Sequence, residues 1–337
     1  MTDNIVLTQQ FDQLAILSLN RPRALNAINP KLNKTIYAIL EQWKDDNNIQ
    51  AILINSSTER AFCSGGDIRL IYEGVKANNY VKGQEVFYRN YRLIYYVANY
   101  PKPIICLMNG ITMGGGLGLG AVCHYRVVTD HSILAMPEVK IGLTPDAGCS
   151  RIFCAAPGFS GLRYMLTGHK FNAEEAIRLG FADYLIPSSE INLTIDSLKK
   201  QPIDVVLKPF HKTLQFDKKF LEEINQIYKA SSVEEIISRL KVSNYPWAVE
   251  DVQAIEAASP LSVQISFDSW HKKPTKLRNT LQQEYNLVCH QLRHPDFAEG
   301  VRAAVIDKDK NPHWDQKPIS KAEIKSFFDQ NFLLFSE

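Results

Sequence analysis

The stretch IICLMNGITMGGGLGLGAVC, residues 104–123, carries the decision about the fold. It runs 20 residues without a charge, long enough to raise a membrane span. Six glycines, with Asn109 and Thr112, interrupt its apolar character. Spanning helices are mostly apolar throughout, so the stretch reads instead as a buried strand, Ile104–Met108, a glycine-rich turn and a buried helix.

The flanking sequence repeats that theme. Leu14–Asn20 reads as a strand that Arg21-Pro22 breaks. Asn29-Pro30 opens a helix, with a capping side chain followed by proline at its first position. Leu32, Ile36, Ile39, Leu40 and Trp43 fall on one face of it. Ala51–Asn55 is a short apolar run typical of a buried strand, and a helix fills Gly83–Asn99. Tyr125–Thr129 and Ile133–Met136 read as further strands, and Asn172 with Glu175 begins a helix that stops at Gly180. Strands alternating with helices define an α/β layer. Beyond about residue 190 strand patterns fade. Helical stripes replace them: Phe220, Leu221, Ile224, Ile227 and Tyr228, then Leu277, Leu281, Tyr285 and Val288, with a capping box at Ser320–Glu323. The expected organisation is a core over residues 1–190 and a helical region over 191–337 that covers the active site or mediates assembly.

The chain has 337 residues, 45% of them hydrophobic, enough for a sizeable core without disulfide or metal support. Its net charge of +2 comes with no dense Lys/Arg block, which argues against nucleic acid as a partner. The six cysteines form neither a CxxC pair nor a zinc spacing, so a reducing compartment and no metal are expected. The polar start, Met1–Asn4, does not resemble a signal peptide. The expected location is the cytoplasm, or an organelle matrix if a presequence has been removed.

Three clusters can carry chemistry. Ala61–Asp67 (AFCSGGD) follows the AILIN strand, and Met113–Gly118 (MGGGLG) follows the IICLM strand. Glycine lets a backbone N–H approach a ligand closely, and a helix start favours negative charge. Two such N–H groups aimed at one point make an oxyanion hole; tight turns needed only for packing are the alternative. The third cluster, Met136–Gly148, places Glu138 and Asp146 eight residues apart, each after a proline. They suit general acid–base work if held in a partly desolvated cleft, or else end a strand and cap a turn. Two rival patterns overlap these clusters. Gly116–Ala121 fits G-x-G-x-x-A, but six residues separate Asn109 from Gly116, whereas a dinucleotide site needs its first glycine at the strand end. Cys149 and Cys154 near Asp146 suggest thiol nucleophiles with His124 or His131 as base, yet their spacing does not set them apart from buried structural thiols. His169 reads as a loop residue.

Taken together, the clusters resemble the crotonase (enoyl-CoA hydratase/isomerase) superfamily. The resemblance is carried by LNRPRALNA (19–27), AFCSGGDI (61–68), NGITMGGGLGLG (109–120), MPEVKIGLTPDAG (136–148) and LTG (166–168). It implies a spiral of ββα units with C-terminal helices, and an acyl-CoA thioester as the partner. It also implies an oxyanion hole from the N–H groups of Gly66 and Gly115. Arg23, Ala24 and Leu25 would line the nucleotide end of CoA, with Arg23 on a phosphate, and Asp67 joins this substrate-binding set. No cofactor is implied beyond the CoA that belongs to the substrate, and no membrane. Assembly is expected as a homo-oligomer, trimer or hexamer, with a monomer as the alternative.

Hydratases of the family use two glutamates, and the first falls here on Gly118, leaving Glu138 alone. They carry Pro-Gly where this chain has Pro145-Asp146, and an acid there marks the 3-hydroxyisobutyryl-CoA hydrolase-like branch. SPLS (259–262), FAEGVRA (297–303), IDKD (306–309), Pro312 and Trp314 resemble the same branch. The implied activity is hydrolysis of a short 3-hydroxyacyl-CoA, 3-hydroxyisobutyryl-CoA of valine breakdown above all, with Glu138 and Asp146 catalytic. A hydratase or isomerase is the second expectation and a CoA-binding protein without turnover the third. Asn90, where the branch often has a glutamate, and Gly148–Arg151, where it is richer in glycine, are departures that bear on the acyl preference.

Overall fold

The computed structural model describes residues 4–329 and 331–335. The chain forms two compact units, each built from three segments. The first takes residues up to Gly66, then 92–135 and 171–214; the second takes 67–91, 136–170 and the residues from Gln215 onward.

The first unit rests on parallel sheets. Strands β1 (Val6–Phe11), β2 (Leu14–Leu19), β3 (Ala51–Ser56), β4 (Ala61–Cys63), β5 (Ile104–Met108), β6 (Ile111–Met113), β7 (Tyr125–Thr129), β8 (Ile133–Ala135), β9 (Lys170–Phe171) and β10 (Tyr184–Ile186) fall into two sheets. One has the order β1-β2-β3-β5-β7-β10 and the other β4-β6-β8-β9. Successive strands alternate between them: β3 feeds β4, β5 feeds β6, and β7 feeds β8. From β2 to β10 the large sheet is parallel, and so is β4-β6-β8. This repetition is the spiral of ββα units, a crotonase-type α/β fold.

The strand sequences explain the large sheet. Leu14, Ile16, Ala51, Leu53, Ile105 and Leu107 face one side, against Leu198, Val206 and Leu207 of later helices. The alternate residues Ala15, Leu17, Ile52, Ile54 and Cys106 are also buried. Parallel strands covered on both faces read as unbroken apolar runs, which is why LAILSL, AILIN and IICLM were recognisable. β1 was not: VLTQQF is mostly exposed and pairs antiparallel at the sheet edge. The helix Pro30–Lys44 starts as expected, with Asn29 Oδ1 accepting from the Leu32 N–H at 2.8 Å. The expected helix near residues 83–99 spans Tyr80–Ala98.

The second unit is helical. Five of its helices are Ser160–Thr167, Lys218–Tyr228, Ala248–Ala257, Pro260–His271 and Leu277–Gln291. Asp251, fully buried, ties several segments together. It accepts from Arg163 Nε and Nη2 at 2.7 and 2.9 Å and from the Tyr228 hydroxyl at 2.6 Å, and pairs with His169 Nε2 at 2.9 Å. His169 itself lies in a loop, as expected.

Among the described residues no strand follows Ile186. The compositional change near residue 190 therefore marks the end of the strands, whereas residues 171–214 still belong to the first unit. No helix of the described chain is long and apolar enough to cross a membrane. The 104–123 stretch divides into β5, β6 and the short helix Gly115–Ala121.

Candidate active site

In the first unit, the two glycine clusters lie at the C-terminal ends of neighbouring parallel strands. β4 ends at Cys63 and β6, beside it, at Met113. The loops that follow touch: a Cβ on Gly65, whose φ is +99°, would lie 3.1 Å from the Met113 carbonyl oxygen. Gly116 packs so tightly on Cys63 that a Cβ there would come within 2.6 Å of its backbone oxygen and sulfur. These contacts hold the loop that carries Gly66 against the loop that carries Gly115. Gly115 opens its helix, so its N–H has no acceptor one turn earlier.

The segment expected to meet CoA is tied to the same place. Pro22–Ala24 form a 3-10 turn, and Leu25 and Asn26 follow with φ of 49° and 57°. This left-handed pair is held by Asn26, whose buried amide donates to Ser56 Oγ at 2.8 Å and to the Phe62 carbonyl at 2.9 Å. The Ser64 N–H donates to the Leu25 carbonyl at 2.9 Å and the Ile28 N–H to the Gly65 carbonyl at 2.7 Å. Arg23, Ala24, Leu25 and Gly66 are thus held on one set of loops, and Arg23 is exposed. Asp67 precedes the helix Ile68–Lys76 without capping it through its side chain.

The second unit holds the acids. Glu138 opens a 3-10 turn, Glu138–Ile141, that ends at left-handed Gly142. A Cβ on Gly142 would lie 2.5 Å from the Asp296 backbone, and one on Gly300 would lie 2.6 Å from Ile141 Cα. Glycine at both positions lets the helix Pro295–Val301 seat directly on the turn. The Ser259 N–H adds a bond to the Val139 carbonyl at 3.0 Å. The SPLS and FAEGVRA segments therefore support Glu138.

Glu138 and Asp146 are 7% and 6% exposed. Burial, then the Asp146 charge, pushes the Glu138 carboxyl well above the ordinary range, and its Oε2 has no protein partner among the described residues. Burial likewise raises Asp146, to about 6, against the opposing effect of the Tyr91 hydroxyl, which donates to Oδ2 at 2.5 Å. Both carboxyls therefore hold their protons to higher pH than exposed acids do, as groups tuned for acid–base work must.

Two members of this cluster escaped the sequence reading. Tyr91 is fully buried. Glu284, on the helix Leu277–Gln291, is 2% exposed and accepts from the Gly148 N–H at 2.7 Å and the Ser150 hydroxyl at 2.5 Å. Its signal was present: Leu277, Leu281, Glu284 and Val288 keep helical spacing, so an acid stands on an apolar stripe. Asn90, beside Tyr91, is buried, and its Nδ2 has no protein partner among the described residues.

The thiols are structural. Burial pushes Cys154 up to about 12 and Cys149 well above its ordinary value, so neither supplies a thiolate near neutrality. His124 Nδ1 accepts from the Ile104 N–H at 3.2 Å, a backbone role. All six cysteines are free.

A spiral of strand-turn-helix units with paired glycine turns defines the crotonase-type class of fold. The enoyl-CoA hydratase/isomerase family model matches residues 14–329, and the chain belongs to that family. The chain is 34% identical to the mitochondrial 3-hydroxyisobutyryl-CoA hydrolase of Gallus gallus over 340 residues, covering 97% of this chain and 88% of that protein. The Homo sapiens protein of the same name is 34% identical over 341 residues, with 96% and 88% covered. Among solved structures, a carnitinyl-CoA dehydratase from Mycobacterium thermoresistibile has a TM-score of 0.92 at 32% identity, with 98% of each chain covered. An enoyl-CoA hydratase from Rhodobacter sphaeroides has a TM-score of 0.89 at 32% identity, with 97% of this chain and 98% of that one covered.

Proposed function

We propose that this chain hydrolyses a short 3-hydroxyacyl-CoA thioester, 3-hydroxyisobutyryl-CoA above all, to the hydroxy acid and CoA. The observation that carries this reading is the buried pair Glu138 and Asp146, with glycine at position 118. The hydrolase names of the full-length relatives support it.

In this mechanism the thioester oxygen accepts hydrogen bonds from the Gly66 and Gly115 N–H groups. Negative charge grows on that oxygen as the carbonyl carbon becomes tetrahedral, so fixed N–H donors stabilise the transition state more than the ground state. Ionised Glu138 supplies the attack, by its own oxygen or by deprotonating a water. The C–S bond breaks, and the CoA sulfur leaves with the electron pair. With water as nucleophile, it takes the proton that Glu138 removed; with Glu138 as nucleophile, water then opens the acyl anhydride to the hydroxy acid and free Glu138, and its released proton goes to the thiolate. Asp146 orients the substrate hydroxyl or the water. CoA is part of the substrate, and no other cofactor is invoked. Arg23, Ala24, Leu25 and Asp67 bind the CoA moiety, Arg23 through a phosphate. The mitochondrial relatives agree with an organelle matrix as the place of this reaction in valine breakdown.

The test is free-thiol release from 3-hydroxyisobutyryl-CoA beside loss of the enoyl absorbance of crotonyl-CoA. Thiol release is expected from the native chain. Glu138→Gln is expected to lower it by at least about 100-fold, and Asp146→Asn by about 10- to 100-fold, with folding intact. Hydration of crotonyl-CoA without thiol release would overturn the proposal and leave a lyase, the activity for which the dehydratase and hydratase of known structure are named. Exhaustive turnover in ¹⁸O-water, followed by mass analysis of the Glu138 peptide, separates the two attacks: label in Glu138 marks a covalent anhydride.

A further inference from the structure

The turn after Asp146 is unusual. Ala147 and Gly148 both have positive φ, 55° and 81°. Alanine disfavours that region, and consecutive residues there persist only when the surroundings hold them. Gly148 precedes the helix Cys149–Ala155 but offers no side chain to cap it. The missing acceptor comes from 136 positions away: Glu284 takes the Gly148 N–H on one oxygen and the Ser150 hydroxyl on the other. Gln291, two turns further along the same helix, accepts from the Thr144 hydroxyl at 3.2 Å. One helix thus grips the chain on both sides of Asp146.

We propose that Glu284 is a positioning residue for the hydrolytic reaction, its carboxyl fixing the Asp146 turn through Gly148 and Ser150. This rests on the hydrolase reading above. A carboxyl buried this deeply is costly unless it is bonded, and a fold needing only a helix cap could use a neutral acceptor. The groups that face Glu284 are Asp146 and Glu138 on the acid segment, Tyr91, and Cys149 and Cys154 on the short helix. Arg151 and Lys273 are the cations that act on the two thiols. Burial lifts Glu284 to about 8, above the value of about 6 for Asp146, so Glu284 is neutral while Asp146 ionises and acts on the turn through its hydrogen bonds. The Ser150 hydroxyl can donate to the charged carboxyl or accept from the neutral one, so the grip survives either state.

Two variants separate grip from charge. Glu284→Gln keeps an acceptor for the Gly148 N–H and a donor for Ser150 Oγ, and removes the charge. Its kcat is expected within about threefold of the native value, with the acid limb of the pH profile in place, since Glu284 is already neutral where Asp146 ionises. Glu284→Ala removes the grip; its kcat is expected to fall by about 100-fold with KM little changed, since a displaced catalytic group costs rate more than binding. Ser150→Ala removes half of the grip without opening a large cavity, is expected to lose about tenfold in kcat, and serves if the alanine variant does not fold.

The readout independent of turnover is the titration of Asp146 followed by ¹³C-carboxyl NMR, assigned through Asp146→Asn. Glu284→Ala is expected to shift its midpoint, because a displaced turn changes the burial of Asp146 and its bond from Tyr91, whereas Glu284→Gln keeps the grip and leaves the midpoint in place. An unchanged midpoint with native kcat in folded Glu284→Ala and Ser150→Ala, which then lose only thermal stability, would overturn the proposal. Should the native chain release no thiol while the midpoint still moves in Glu284→Ala, the hydrolase reading fails and the positioning of Asp146 stands.

Discussion

At the residue scale, the acid cluster makes opposite demands on its neighbours. The Tyr91 hydroxyl favours ionised Asp146, whereas burial opposes it. Tyr91→Phe removes only the donor and is expected to move the acid limb of kcat upward in pH. A pH profile of thiol release checks the sign. Stability carries a second signature. Glu284 is raised from 4.5 to about 8, mainly by burial. Between those values the folded state holds a proton that the unfolded chain has released, so its contribution is full below pH 4.5 and lost as pH rises through about 8. Thermal unfolding of Glu284→Gln relative to the native chain, measured from pH 5 to 8, should therefore show a relative gain that grows with pH. Glu138 and Asp146 could be picked out from sequence because each follows a proline within a recognisable run. Tyr91 and Glu284 could not, because their partners lie 55 and 134–136 positions away and helical periodicity alone assigns both to a core.

At the element scale, legibility follows burial. β2, β3, β5 and β7 announced themselves as apolar runs, and the caps Asn29, Asn172 and Ser320 each accept the N–H three residues on. β4, β6, β9 and β10 are two or three residues long, too short for a period to show. β6 is also the reason the dinucleotide pattern failed: the six residues between Asn109 and Gly116 hold a strand of the second sheet. What fixes the short elements is glycine at close approaches. Gly142→Ala would place a Cβ 2.5 Å from the Asp296 backbone at a φ of +75°. The cost is expected to be about 2–4 kcal/mol, from left-handed strain together with overpacking. Because Glu138 opens the same turn, thiol release should fall along with the unfolding midpoint. Equal activity per folded molecule would show that the turn shifts without moving the acid.

At the scale of the whole molecule, the order of segments along the chain and their grouping in space differ. Residues 136–170, which contain Glu138 and Asp146, belong to the unit built from the C-terminal helices. Periodicity identified those helices but could not show what they support, since that depends on pairings over 100 or more positions: Ser259 on Val139, Gly300 on Ile141, Glu284 on Gly148. A chain ending at residue 190 keeps every motif of the Gly66 and Gly115 loops and loses all three supports. It also strips cover from Phe153, Leu162 and Met165, which are buried in the full chain. At about 25 cal/mol per Å² of apolar surface, exposing several such side chains costs more than a domain's whole margin of stability. The truncated chain is therefore expected to bind a hydrophobic dye and lose protection from hydrogen exchange over residues 136–170. It should release no thiol at any pH, even with Glu138 and Asp146 still present in its sequence. Activity retained after such a cut would mean that Glu138 and Asp146 are positioned by the first 190 residues alone, and that the C-terminal helices serve assembly or closure instead.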